Sequence, residues 1–412
     1  MQSFTHLIIG GGIAGTTAAE TIRKHDANAT IAIVSDEPHP LYSRVLLSKP
    51  AFLTGTQPFE SVWMKKPEWY EAERITFLGS AVAKRLDAAA KTVTLESGEV
   101  LQYEKLLLAT GTHTRMLTIP GAEKEGVHYL RTLDHAQSII KDLAAGKSHA
   151  IMIGSACVTY EVADILRSKG LEVTEVMREH YFWEPSLSEA EAMIVEDRLV
   201  ERGVTIIRDA EIAEITGGAS VEGVTLKDGR HLPCDMVFAF IGVTHPTEWL
   251  ADSGIALDRG ILADEFLATS LPDVYAAGDG ARFKDVVMED TVMMGNWMNA
   301  VKQGEVAAKN MTGEHEVFTM VSFHSSHGFG DMISFAGDVV LREGRLIIMR
   351  GDPTTRSLVR FIIRDRRIVG ATMVNRTADL NTIVKLIAAK TDIGERHGEL
   401  ADPTFDLKTL LA

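Results

Sequence analysis

The sequence has few cysteines, no long hydrophobic run and no excess of positive charge. Its 412 residues include only two cysteines, Cys157 and Cys234, too few for a disulfide framework. No apolar run is long enough to span a membrane, and the N-terminus lacks the basic and apolar segments of a secretory signal. The net charge of −15 disfavours binding to nucleic acid or to anionic membranes. These absences predict a cytoplasmic protein without membrane or nucleic-acid partners.

Metal ligands are also scarce. The pair His324 and His327 has the nearest suitable spacing, but no further ligand residues accompany it, so we predict no metal site. A chain of this length and ordinary composition is expected to form two or three globular domains.

A glycine-rich turn near the start predicts a dinucleotide-binding unit. The apolar run Leu7 to Ile9 indicates a buried parallel strand, which leads into Gly10-Gly11-Gly12-Ile13-Ala14-Gly15 and then a helical pattern. A second apolar run ends at Asp36, 21 residues past Gly15, where a carboxylate accepts hydrogen bonds from ribose hydroxyls. The predicted cofactor contacts in this unit are Gly10, Gly12, Ala14, Gly15 and Asp36.

Two later segments indicate which dinucleotide is bound. One apolar strand ends in Ala109-Thr110-Gly111, and another ends in Gly278-Asp279. With the first turn, these motifs resemble the flavoproteins with two dinucleotide-binding domains, the pyridine nucleotide–disulfide oxidoreductase fold. The resemblance implies that Asp279 holds the ribityl chain of FAD. It also assigns cofactor contacts to Ala109, Thr110, Gly111, Gly278, Trp297 and Gly242.

The segment from Leu41 to Lys49 narrows the resemblance to the branch without redox disulfides. It is similar to a segment of ferredoxin, rubredoxin and putidaredoxin reductases, apoptosis-inducing factor and the flavin part of nitrite reductase. The resemblance implies that Arg44 meets the FAD pyrophosphate and that Lys49 lies beside the flavin ring. Disulfide chemistry is disfavoured because neither cysteine has a partner in the sequence. We interpret Cys157 as an inert buried residue, and the alternative is a role in the nicotinamide pocket.

A second copy of the strand–turn–helix pattern runs from Ile151 to Leu166. Gly154 preserves its first turn position, but Ala156 and Thr159 replace the next two glycines, which predicts a weakened nucleotide site. The resemblance implies that Glu161 pairs with Lys49 and contacts the nicotinamide amide, so both are predicted catalytic residues.

The strand that follows, Leu171 to Val176, ends without an acid. Arg178 stands close to the ribose-reading position and can accommodate a 2′-phosphate, which favours NADPH, and a solvated turn arginine is the alternative. The aromatic segment Tyr181-Phe182-Trp183 either stacks on an adenine or caps the domain, and we favour capping.

The last part of the chain alternates apolar and polar residues and ends in an amphipathic helical pattern, as in the family's C-terminal interface domain. There Ser322 to His327 replaces the family's aromatic-rich loop. The last part of the chain is also rich in arginine. This composition indicates either a surface that steers an acidic electron carrier or exposed charges that prevent association at the sheet edge. Between residues 342 and 376 the arginines are Arg342, Arg345, Arg350, Arg356, Arg360, Arg364, Arg366, Arg367 and Arg376.

The sequence thus predicts an α/β protein with two Rossmann-like domains and a small α+β C-terminal domain. The expected division is a discontinuous FAD domain (1–116 and 241–316), an NAD(P)-binding-like domain (117–240) and an interface domain (317–412). The predicted function is an FAD-dependent NAD(P)H oxidoreductase that passes hydride to flavin and electrons to a small carrier such as ferredoxin or rubredoxin. The alternatives are an electron-transfer or sensor flavoprotein that no longer uses nicotinamide, and a structural module with vestigial FAD. The oligomeric state stays open, with a homodimer as one alternative.

Overall fold

A computed structural model of the chain describes residues 1–411. Its strands are β1 (Gln2–Ile9), β2 (Ile31–Val34), β3 (Ile75–Leu78), β4 (Ala83–Asp87), β5 (Thr92–Leu95), β6 (Val100–Leu108), β7 (His113–Thr114), β8 (Val127–His128), β9 (His149–Ile153), β10 (Glu172–Val176), β11 (Val204–Ile207), β12 (Ile212–Thr216), β13 (Gly223–Leu226), β14 (His231–Pro233), β15 (Met236–Ala239), β16 (Val243–Thr244), β17 (Leu257–Asp258), β18 (Gly260–Ala263), β19 (Val274–Ala276), β20 (Ala281–Asp285), β21 (Asp290–Val292), β22 (Phe323–Gly328), β23 (Asp331–Gly337), β24 (Leu346–Asp352), β25 (Ser357–Arg364) and β26 (Arg367–Val374). Its α-helices are α1 (Ile13–His25), α2 (Pro50–Leu53), α3 (Pro67–Ala72), α4 (Leu133–Ala144), α5 (Cys157–Ser168), α6 (Glu189–Glu201), α7 (Trp297–Met311), α8 (Leu380–Ala388) and α9 (His397–Ala401).

The chain divides into two compact units. The first contains residues 1–43, 60–113 and 244–322, and the second contains residues 44–59, 114–243 and 323–412. This division places segment 44–59 with the second unit, and it places the expected second and third domains together. The three-domain division therefore stays a prediction, and Ala412, its last residue, lies outside the described residues.

The first unit is built on a parallel sheet. Strands β3, β2, β1, β6 and β19 lie side by side in that order and run in one direction, and the antiparallel strands β5 and β4 extend the sheet from β6. Both faces of β1 are buried, since Ile8 packs with α1 and α7 on one side and Leu7 packs with residues of β4 and β5 on the other. A strand buried on both faces explains the continuous apolar run at the start of the sequence.

The second unit contains three sheets. A parallel sheet has the order β11-β10-β9-β15-β8, an antiparallel meander is formed by β12, β13 and β14, and a five-stranded antiparallel sheet has the order β22-β23-β26-β25-β24. Helix α8 packs on β23 and β26 of the last sheet. The predicted α/β class with a small α+β C-terminal portion is confirmed. None of the helices in residues 1–411 is long and apolar enough to cross a membrane.

Most of Ser322 to His327, the segment that replaces the family's aromatic-rich loop, forms strand β22. Its residues pair antiparallel with β23, from Phe323 opposite Ala336 to Gly328 opposite Asp331. Ser326 and Gly328 are buried while Ser325 and His327 are exposed, which is the alternation of a strand with one covered face.

The description of the arginine-rich segment as one exposed surface is also wrong. The side chains of Arg345, Arg350 and Arg360 are buried. Arg350 donates hydrogen bonds to backbone carbonyls near the C-terminus, and Arg360 lies 2.9 Å from the carboxylate of Glu191 on α6. A long cationic side chain can be buried where hydrogen-bond acceptors surround it. These three arginines therefore stabilise the interior and do not form a docking surface.

The aromatic segment after β10 packs inside the second unit. Phe182 and Trp183 are buried, Phe182 lies edge-on to Tyr160 and Trp183 contacts Phe335. The capping interpretation therefore agrees with the structure, and these two rings are not available to stack on an adenine.

Candidate nucleotide sites and the buried ion pair

The first glycine-rich turn, between β1 and α1, leaves room for a phosphate. Gly10 has a φ of +123°, and a Cβ there would lie 2.0 Å from the carbonyl oxygen of Ala109. A Cβ on Gly15 would lie 2.0 Å from the carbonyl oxygen of Gly10, so the helix and the turn approach closely only with glycine. Nothing lies within 4 Å of the Cβ position of Gly12, and no side chain caps the helix there. The uncapped N-terminus of α1 and the absence of neighbours at Gly12 fit a dinucleotide pyrophosphate.

The neighbouring strands bring the other predicted residues of this unit to the same edge. The Gly10 N–H donates to Val34 at the end of β2, and the Ala109 N–H donates to Ile9 at the end of β1. Asp36 follows β2 with a half-exposed carboxylate, 3.3 Å from the imidazole of His113. Because the carboxyl ends of parallel strands share one edge, Asp36 lies where a ribose is bound in such units.

The late Gly-Asp motif follows β19, the strand beside β6. Gly278 has a φ of +84°, and its N–H donates to the side-chain oxygen of the buried Gln303 at 2.7 Å. Helix α7 begins at Trp297 with Asn296 as its N-cap. A Cβ on Gly304 would lie 2.4 Å from the carbonyl oxygen of Ala14, so α7 packs tightly against α1. The predicted residues of the first unit therefore lie on elements that are packed directly on the glycine-rich turn.

In the second unit, Lys49 and Glu161 form the predicted ion pair. Lys49 Nζ lies 2.8 Å from Glu161 Oε2, and the Glu161 side chain on α5 is nearly buried. Two hydroxyls complete the site, because Ser48 donates to Oε2 at 2.5 Å and Ser326 donates to Oε1 at 3.1 Å. Three donors on one carboxylate fix its position.

The two serines were missed from the sequence. Ser48 adjoins Lys49 and could have been noticed from its place in the motif, but Ser326 lies 165 residues from Glu161 and carried no signal. A cavity of about 280 Å³ lies beside the ion pair, lined in part by Asp164, His327 and Asp331. Arg44, also in the second unit, donates to the carbonyl oxygen of Arg131 at 2.7 Å.

The second nucleotide turn, between β9 and α5, has fewer glycines and keeps only part of the geometry of the first turn. Gly154 has a φ of +106°, and a Cβ there would lie 2.4 Å from the carbonyl oxygen of Phe240, so glycine is required. Ala156 is the N-cap of α5 in an extended conformation without a capping side chain, and Thr159 is fully buried. Gly242 has a φ of +98°, and its carbonyl oxygen accepts from the Arg115 N–H at 3.0 Å. The helix N-terminus remains uncapped, which fits a phosphate even without the second glycine.

Arg178 extends into solvent beyond β10 and is paired with Glu179. Arg178 therefore has an acidic partner beside it, which bears on the coenzyme preference.

The cysteines are unsuited to thiol chemistry. Both are free thiols. Burial raises the pKa of Cys157 to about 11, with a further contribution from the charge of Glu161, and burial likewise raises the pKa of Cys234. A thiol must ionise to act as a nucleophile, so neither is activated.

Residues 4–304 match the family model described as pyridine nucleotide-disulphide oxidoreductase. The chain belongs to this family. Residues 326–411 match a second model, described as reductase C-terminal. Both matches confirm the resemblance drawn from the motifs, and FAD and NAD(P)H are the family's cofactors. The chain is therefore an FAD-dependent NAD(P)H oxidoreductase.

Individual relatives cover almost the whole chain. Rhodocoxin reductase from Rhodococcus erythropolis is 31% identical over 407 residues, which are 98% of this chain and 94% of that protein. A crystal structure of the ferredoxin reductase for the CYP199A2 system from Rhodopseudomonas palustris has 30% identity and a TM-score of 0.91, covering 99% of this chain and 100% of the other. The covalent putidaredoxin reductase–putidaredoxin complex has 26% identity and a TM-score of 0.92, with 100% and 98% covered.

Proposed function

We propose that this protein takes hydride from NAD(P)H onto FAD and passes the electrons to a small iron–sulfur or rubredoxin-type carrier protein. The observation that carries this proposal is the state of the cysteines. Members of this fold that reduce disulfides need a thiol close to the flavin, whereas both thiols here are unpaired and their pKa values are raised by burial. Electrons must then leave for an external acceptor. Full-length similarity to rhodocoxin reductase and to a putidaredoxin reductase captured with its carrier supports a protein acceptor.

FAD supplies the chemistry that joins a two-electron donor to one-electron carriers. In the first unit we assign the FAD contacts to the glycine-rich turn and its neighbours, with Asp36 for the ribose and Asp279 for the ribityl chain. The assigned residues there are Gly10, Gly12, Ala14, Gly15, Asp36, Ala109, Thr110, Gly111, Gly278, Asp279 and Trp297. The family resemblance also assigns FAD contacts to Arg44 and Lys49. The open space at Gly12 and the tight approaches at Gly10 and Gly15 support the assignment.

Lys49 and Glu161 have the charge needed at a hydride-transfer site. A fixed ammonium stabilises negative charge that arrives beside it, and Glu161 with its serine partners holds that ammonium in place. We assign nicotinamide nucleotide binding to Gly154, Gly242 and the N-terminus of α5. The cytoplasm is our proposed location, because two free thiols suit a reducing compartment, and cell fractionation tests it.

The replaced glycines favour one second candidate, a flavoprotein that has lost nicotinamide use. Ala156 and Thr159 stand at positions where the first turn has Gly12 and Gly15. An anaerobic titration of the purified yellow protein with NADH and then NADPH separates the two candidates. Bleaching of the flavin by either coenzyme at up to about 1 mM, the top of the usual KM range, supports the oxidoreductase. Photoreducible flavin that neither coenzyme bleaches supports the second candidate.

A further inference from the structure

The end of β10 is the place in the second nucleotide unit where a ribose is read. The Gly154 N–H donates to the carbonyl oxygen of Val176 at 3.3 Å, so the turn after β9 lies directly beside the last residue of β10. In Rossmann-like units an acidic side chain at this edge accepts hydrogen bonds from the adenosine ribose. Met177 occupies the first position after the strand, and it is buried and apolar. The usual acid is therefore absent from its usual place.

Glu179, two residues further on, turns back toward the nucleotide turn. Its Oε2 accepts a hydrogen bond from the hydroxyl of Ser155, the residue that follows Gly154, at 3.3 Å. The Glu179 side chain is 21% exposed, whereas that of Arg178 is 78% exposed. The carboxylate is thus held against the turn, and the arginine points to solvent.

Arg178 is not a free cation at this edge. Its Nε donates to Glu179 Oε1 at 2.9 Å, and this bond, with the charges of Glu179 and Glu211, raises the pKa of Arg178. An arginine that binds a 2′-phosphate would have to exchange these partners. The phosphate itself would meet the Glu179 carboxylate, and like charges at short range repel each other.

We propose that Glu179 reads the ribose hydroxyls of the adenosine and that the enzyme selects NADH over NADPH. This inference rests on the proposed function, since it requires a nicotinamide nucleotide at the turn. It replaces the expectation, drawn from Arg178 and the missing acid at the end of the strand, that the coenzyme preference leans toward NADPH. Glu179 is a specificity residue because a carboxylate only accepts hydrogen bonds. The ribose hydroxyls can donate hydrogen bonds to it, whereas a 2′-phosphate cannot.

The test measures binding of the oxidised coenzymes to the FAD-loaded protein by isothermal titration calorimetry, so that the readout does not depend on turnover. We expect NAD⁺ to bind at least about tenfold more tightly than NADP⁺. Glu179→Gln should weaken NAD⁺ by about 10- to 100-fold, as expected for loss of hydrogen bonds to a charged acceptor, and should not weaken NADP⁺. Glu172→Gln is the matched control, because it makes the same change at an exposed position of β10 and should leave both affinities unchanged.

Arg178→Ala distinguishes the two assignments. If Glu179 is the specificity residue, removal of the arginine leaves NAD⁺ binding unchanged and does not weaken NADP⁺. The proposal is overturned if Arg178→Ala weakens NADP⁺ while Glu179→Gln changes neither affinity. Should Glu179→Gln fail to fold in a thermal melt, Ser155→Ala replaces it, and a smaller loss of NAD⁺ affinity is then expected. A wild-type holoenzyme that binds neither nucleotide refutes nicotinamide use itself, which is a different result from a reversed preference.

Discussion

Glu175 on β10 is a carboxyl group without a hydrogen-bond partner in the interior of the second unit. Its side chain is fully buried, and neither oxygen has a hydrogen-bond partner among residues 1–411. It pairs across the sheet with Met152 and Ile206, which offer no polar side chain. Burial is the largest cause that raises its pKa well above the usual range, and the nearby carboxylates of Glu196 and Glu179 raise it further. The folded protein should therefore keep a proton on Glu175 up to a higher pH than the unfolded chain does.

The sign of the stability effect follows from this difference in bound protons. An unfolded glutamate has a pKa of about 4.3, so above that pH the folded state binds one proton more than the unfolded state. The free energy of unfolding then falls as the pH rises toward the folded pKa, by up to about 1.4 kcal/mol per pH unit. Glu175→Gln keeps the shape and cannot ionise, so it should remove this slope. Over two pH units between the unfolded and the folded pKa, the free energy of unfolding of the variant should rise by about 2.7 kcal/mol relative to that of the wild type.

The assay is urea denaturation of the FAD-loaded protein at a series of pH values from 5 to 8. The difference in unfolding free energy between Glu175→Gln and the wild type should grow with pH. Glu172→Gln, on the same strand but exposed, should show no such growth. A difference that stays constant from pH 5 to 8 would show that Glu175 is ionised or solvated in the folded state, and the reasoning from its burial would fail.

The remaining predictions concern the cofactor, the ion pair, the buried arginine and the acceptor. Asp279→Ala should weaken FAD by about 1.5–3 kcal/mol in fluorescence titrations of the apoprotein, the loss expected for a hydrogen bond to a charged group, and unchanged affinity would contradict the assignment. Glu161→Ala should slow flavin reduction in stopped-flow experiments more than it weakens coenzyme binding, because Lys49 loses its partner, and an equal effect on both would argue for a binding role only. Arg360→Met should destabilise the protein by about 3–5 kcal/mol in urea, since Glu191 is left buried without its partner, and a loss below about 1 kcal/mol would contradict a compact ion pair. Reduction of an acidic carrier protein should slow as salt rises while reduction of a neutral dye does not, and equal salt dependence would exclude electrostatic docking.

Features that are local in the sequence were predicted well. The glycine-rich turn, the strand before it and Asp36 lie within one βαβ unit, where spacing alone determines which groups meet. The pairing of Lys49 with Glu161 was also predicted, but only through the family resemblance, because 112 residues separate them. Ser326 belongs to no such motif, so the sequence predicts no role for it. Its role depends on the register of β22 against β23, which the sequence pattern did not reveal.

The number of arginines in the C-terminal segment did not predict which of them are exposed, for a related reason. Nine arginines in one segment indicated a basic surface, but composition does not show which side of a strand a residue occupies. Arg350 and Arg360 lie on covered faces of β24 and β25, where carbonyl oxygens and Glu191 replace water around them. An acidic carrier that docked through this segment would meet its exposed arginines, such as Arg366 and Arg367 in the β25–β26 hairpin.

The loop after β10, at the proposed ribose position, shows in the same way that sequence alone does not reveal where a side chain points. The rule for Rossmann-like units predicts that the ribose is read at the end of β10, where Met177, Arg178 and Glu179 follow the strand. The missing acid at the strand end and an arginine that can accommodate a 2′-phosphate favoured NADPH. The course of the loop favours the opposite preference, since it buries the methionine, turns the arginine outward and brings the glutamate to Ser155. A motif can therefore identify the edge of the sheet where specificity is decided, but the hydrogen bonds of the folded loop determine which charge is presented there.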